Sequence, residues 1–149
     1  MAATPTHLVL GFLAGALSHL IFQGGLGAIL YAAQLIPALP WSLTPVPPLG
    51  APRSLSLAFW AGLWGLVYAV LEPRLSALFG WWVGGLVFGL ALPLVVYWFV
   101  VLPLKGAGVG GGFRLAMVPI EVAFHAIFRI GLAIIFRSGL ALVQRNVMP

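Results

Sequence analysis

PIEVAFHAIFRIGLAIIF, residues 119–136, is apolar enough to lie in lipid, yet Glu121, His125 and Arg129 recur in it at four-residue spacing. A helix turns once in about 3.6 residues, so successive members stand one turn apart, within direct or water-bridged hydrogen-bonding reach. A charge near the bilayer centre costs about 2.5–3.5 kcal/mol on insertion scales, so such residues face a bundle interior or a wet cavity. The stretch therefore predicts a membrane span with a polar ladder on one face. Arg129 is expected to point inward and to pair with Glu121, His125 or a polar group on another span.

The rest of the chain suits the same solvent. Of its 149 residues, 62% are hydrophobic and 6% charged, with a mean hydropathy of +1.14, whereas a soluble domain carries about 25% charged residues. About 20 apolar residues cross the hydrocarbon core. With Pro, Gly and charge clusters as punctuation, four spans are predicted, at residues 8–35, 54–71, 79–102 and 118–136. The expected fold is an all-α integral membrane protein, four transmembrane helices in one bundle, forming a single domain over 1–149. The apolar run behind MAATPTH is too long for a signal-peptide core and has no cationic n-region, so the first span is expected to be retained.

Charge and residue inventory exclude several functions. The net charge of +5 comes from basic residues scattered singly, which is no nucleic-acid footprint. Arg53, Lys105 and Arg114 on one set of loops balance Arg74, Arg137 and Arg145 on the other, so the lysine and arginine count leaves orientation open. Cysteine is absent, which removes disulfides and thiol chemistry, and no Asp exists to complete a Ser-His-Asp triad. Ser18 and His19 are adjacent in sequence and point apart on a helix. The chain is therefore read as non-catalytic and without a metal site. KGAGVGGG, residues 105–112, matches G-x-G-x-x-G at Gly106, Gly108 and Gly111 but lacks the βαβ context of a dinucleotide site, so it reads as a flexible loop.

The connector IPALPWSLTPVPPLGAPR, residues 36–53, holds six prolines, which exclude a long helix. Its Trp41, Leu43, Val46 and Leu49 place it along the membrane boundary. In the first span Gly11, Gly15, His19, Gln23 and Gly27 form one stripe, and in the third Gly85 and Gly89 lead to Pro93, expected to kink the helix. Small residues let backbones approach in lipid, where the hydrophobic effect contributes little to helix association. His19 and Gln23 are expected to meet the Glu121–Arg129 ladder across the seam. Trp60, Trp64 and Tyr68, again at four-residue spacing, read as packing or lipid contact.

PVPPLGAPRSLSLAFWAGLWG, residues 45–65, with FQGG at Phe22–Gly25 resembles a family of small, uncharacterised bacterial inner-membrane proteins over about the first half of the chain. The resemblance implies a multi-pass protein of the bacterial inner membrane and carries no activity with it.

Three functions are compatible with these residues. The first is a non-catalytic subunit or assembly factor of a larger membrane complex, whose partners are the lipid bilayer and other membrane subunits or a second copy. The second is a small transporter, channel or proton relay using Glu121, His125, Arg129, His19 and Gln23. The third is haem ligation by His19 and His125, the one cofactor the sequence admits.

Overall fold

A computed structural model describes residues 4–47 and 49–147. The chain is mostly helical, and three helical stretches are long and apolar enough to cross a membrane: Pro5–Ala32, Arg53–Leu104 and Val118–Arg145. The first begins where Thr4 accepts a hydrogen bond from the His7 amide and Pro5 occupies the first turn, a start that uses orphan amides and a preset φ. It comprises α1 (Pro5–Ser18), one π turn (His19–Gln23) and α2 (Gly24–Ala32).

The connector that follows contains no helix among its described residues. It folds into a minimal antiparallel hairpin, β1 (Pro45–Val46) against β2 (Ala51–Pro52); Pro48, one of the six prolines, lies outside the described residues. The hairpin is tied to the next helix by the Ser42 amide, which donates to Ser54 Oγ at 2.8 Å, and by the Ser54 amide, which donates to the Ser42 carbonyl.

Helix α3 (Arg53–Ala91) continues through Glu72, Pro73 and Arg74, where the sequence pattern placed a break between residues 71 and 79. Proline removes only one helical hydrogen bond here, and Glu72 is neutralised by Arg137, whose Nη2 lies 3.0 Å from its carboxylate. The interruption falls instead at Gly80, with φ 73° and ψ 158°, a conformation nearly restricted to glycine. On either side of it the two arms lie together. The Phe88 ring stands 5.4 Å from Tyr68 and 6.4 Å from Trp64, and a β-carbon at Gly84 would press on the Leu75 carbonyl at 2.9 Å.

Leu92, at φ −109° and ψ −69°, separates α3 from α4 (Pro93–Val96), the kink expected at Pro93. A second π turn (Tyr97–Val101), the short α5 (Leu102–Leu104) and a 3₁₀ turn (Val109–Gly112) lead to α6 (Val118–Val147).

The seam between α1 and α3 is made by glycines on both sides. A β-carbon at Gly11 would collide with the Gly65 carbonyl, one at Gly15 with the Ala61 carbonyl, and one at Gly65 with Gly11. Backbones meet directly there, the close approach that small residues allow in lipid. The core beside this seam holds Ala14, Tyr68, Phe88, Leu132 and Phe136, drawn from α1, both arms of α3 and α6.

Candidate functional site

Four of the five polar residues anticipated from the sequence meet around one recess of about 370 Å³, within the range of small-molecule sites. His19 and Gln23 come from the first π turn, and Glu121 and His125 from α6. The connector adds Trp41, α3 adds Arg53, Trp60 and Trp64, and the second π turn adds Tyr97, with Lys105 just beyond α5. Both π turns thus border the recess, and single π turns inside helices recur at functional sites. The first also opens a backbone acceptor: Trp41 Nε1 donates to the Leu20 carbonyl at 3.0 Å, fixing the connector across the recess. Trp41→Phe removes that donor and is expected to lower stability by about 0.5–1.5 kcal/mol, read as a lower melting temperature in detergent. An unchanged value would mean that the connector is held by its own hairpin.

Helix geometry divides the expected ladder. Four residues overshoot a helical turn, so each step from Glu121 rotates the next side chain further round α6. Glu121 and His125 face the recess, while Arg129 is turned into the seam with α3 and does not line it. The Glu121 carboxylate accepts from Trp98 Nε1 at 2.6 Å, and His125 Nδ1 donates to the Glu121 carbonyl oxygen at 2.8 Å. The anticipated pairing of Arg129 with Glu121, His125 or a polar group of the first span is not formed. Arg129 is 0% exposed, and its three nitrogens meet no acceptor among the described residues. The guanidinium lies instead over two aromatic faces, 4.1 Å from the Phe88 centroid and 4.5 Å from that of Phe128. Gly89 makes room for the arm, since a β-carbon there would collide with Arg129 Cγ.

The first span reaches α6 through backbone carbonyls. Ser18 Oγ donates to the Phe128 carbonyl at 2.6 Å, and Gln23 Nε2 donates to that of Phe124 at 3.4 Å. With its amide so oriented, Gln23 Oε1 accepts from His19 Nδ1. A carbonyl can only accept, so both imidazoles carry their proton on Nδ1 in the neutral form and keep Nε2 as the free acceptor. Neither Nε2 is hydrogen-bonded among the described residues, and neither belongs to the sealed polar atoms, which are Tyr68 Oη and the three Arg129 nitrogens. Packed against the lining residues Trp64 and Phe128, the core residues Tyr68, Phe88, Arg129 and Leu132 are at most 2% exposed.

Sequence reading missed Trp60, Trp64, Tyr97, Arg53, Lys105 and Ser18. The stripe of Trp60, Trp64 and Tyr68, read as packing or lipid contact, does pack at Tyr68 and Trp64 and is 60% exposed at Trp60, but Trp60 and Trp64 line the recess as well. Gly11 and Gly15 are buried at the α1–α3 seam, Gly89 at Arg129, and Gly85 opposite Ala133. No family model, curated protein or solved structure matches this chain, in keeping with its resemblance to an uncharacterised family.

Proposed function

We propose that this chain is a non-catalytic, multi-pass membrane protein that holds a small ligand in the recess between its helices. The observation that carries the reading is a cavity of about 370 Å³ walled by His19, Gln23, Glu121, His125 and an aromatic set. The small-residue seams, which partner contact would otherwise use, are filled within the chain at Gly11, Gly15 and Gly65.

The passage count and the membrane belong to the same proposal. A helix of 52 residues would be about 78 Å long at 1.5 Å per residue, far beyond a bilayer core of about 30 Å. Reversal at Gly80 makes Arg53–Leu104 two crossings and the total four, with both termini on one side. The bacterial inner membrane follows from the resemblance of the first half of the chain.

Native mass spectrometry of the protein extracted in mild detergent tests the reading. Wild type is expected to carry a bound small molecule, and Leu57→Trp, which places an indole into the recess, is expected to lose it while its helical circular dichroism is retained. An empty wild type, or an adduct that survives Leu57→Trp, overturns the proposal. A proton-relay reading is favoured by the two free Nε2 acceptors beside Glu121; proton flux in dye-loaded liposomes that Leu57→Trp abolishes would put it first. Haem shares the same two imidazoles, and a visible absorption spectrum of the purified protein separates it from a colourless ligand.

A further inference from the structure

We infer that the recess takes the phosphate-bearing headgroup of an anionic lipid, an inference that rests on the binding role proposed above. Arg53 opens α3 and Lys105 follows α5, and the reversal at Gly80 brings these two distant chain positions to the wall of one cavity. Neither side chain has an acceptor among the described residues, where the one ion pair is Arg137 with Glu72. Two free cations lining one recess suit a phosphate, which can take charge-assisted hydrogen bonds from both. Trp41, Trp60 and Tyr97 line the same recess, amphipathic rings of the kind that settle at headgroup level.

Size and polarity narrow the ligand further. At about 30 Å³ per water, 370 Å³ holds roughly a dozen water volumes, room for a headgroup and not for two acyl chains. The chains would stay in the bilayer, beside Trp60, which is 60% exposed. The same recess is lined by the acceptors His19 Nε2, His125 Nε2 and the Glu121 carboxylate. They disfavour a second phosphate and favour hydroxyl donors, so a phosphoglycerol head satisfies both sets of groups, whereas the quaternary amine of a choline head offers them no donor.

The test uses the full chain in neutral detergent micelles doped with phosphatidylglycerol or phosphatidylcholine, with inorganic phosphate as a separate probe, read by native mass spectrometry. Phosphatidylglycerol is expected to be retained about tenfold over phosphatidylcholine, a preference that the double variant Arg53→Gln, Lys105→Gln removes and Arg145→Gln leaves intact. Equal retention of the two lipids overturns the inference, as does a loss with Arg145→Gln as large as with the double variant. Displacement of phosphatidylglycerol by equimolar inorganic phosphate also overturns it, since the site would then be one for free anions. Leu57→Trp separates this inference from the reading beneath it. If that variant retains every probe as wild type does, the recess is not a binding site and both fall; if it releases them while the charge variants change nothing, only the lipid headgroup falls.

Discussion

Arg129→Met raises the stability of the folded protein by about 1–4 kcal/mol, the range seen when buried charges give way to apolar residues of similar volume. The residue lies eleven positions on from Val118, about 17 Å along α6 at 1.5 Å per residue, and is wholly buried without a hydrogen-bond acceptor among the described residues. Its compensation is the pair of aromatic faces of Phe88 and Phe128, each worth about 2 kcal/mol when desolvated, against several kcal/mol for taking the ion out of water. Methionine keeps the unbranched arm that crosses Gly89 and removes the ion. The measurement is the melting temperature in one detergent, together with ligand retention. Retention should be unchanged, because Arg129 does not line the recess. A fall in melting temperature would show that the ring contacts outweigh the desolvation. Glu121→Gln, by contrast, keeps an acceptor for Trp98 Nε1 and should cost about 1 kcal/mol or less. That reverses the order expected when Glu121 and Arg129 are read as partners.

Gly65→Val should abolish the α1–α3 seam and with it the folded state. A β-carbon at Gly65 runs into the Gly11 backbone, and carbonyls cannot swing aside as a flexible side chain can. The expected loss is therefore about 3 kcal/mol or more, at the upper end of overpacking costs. Size-exclusion chromatography of the detergent-extracted protein reads it as aggregation or lost yield. Gly25→Ala is the matched control, since an added β-carbon there meets nothing within 4 Å. If Gly65→Val elutes as wild type does, α1 and α3 do not meet backbone to backbone.

The legible parts of the fold are those set by local chemistry. Hydropathy located the long apolar helices, the stripe of Gly11 and Gly15 marked the face α1 packs with, and Pro93 marked a kink. What sequence misplaced depends on residues far apart along the chain. Glu72 read as a span terminator because its partner, Arg137, lies on another helix, so α3 ran on to Gly80. Arg129 read as a rung beside Glu121 because one-turn spacing was extended over two steps, across which the accumulated rotation carries it to the Gly89 notch. Trp60 and Trp64 read only as packing or lipid contact because nothing in their own segment reveals that His19 and His125 border the same space. The four polar residues that do converge were visible because ionisable groups are costly in lipid wherever their neighbours lie.

The direct link from Ser18 to Phe128 sets a timetable for biogenesis. The two arms of α3 can zip together soon after they emerge, since Leu75 and Gly84 are nine residues apart, and closing so short a loop carries little entropic penalty. The hydroxyl of Ser18 must wait for a carbonyl 110 residues downstream. Until that residue leaves the ribosome, His19 and Gln23 face only the walls that the connector and α3 supply, and the side that α6 later closes stands open. A chain truncated before residue 118 is therefore expected to retain the α1–α3 seam while its recess lacks the wall that α6 supplies.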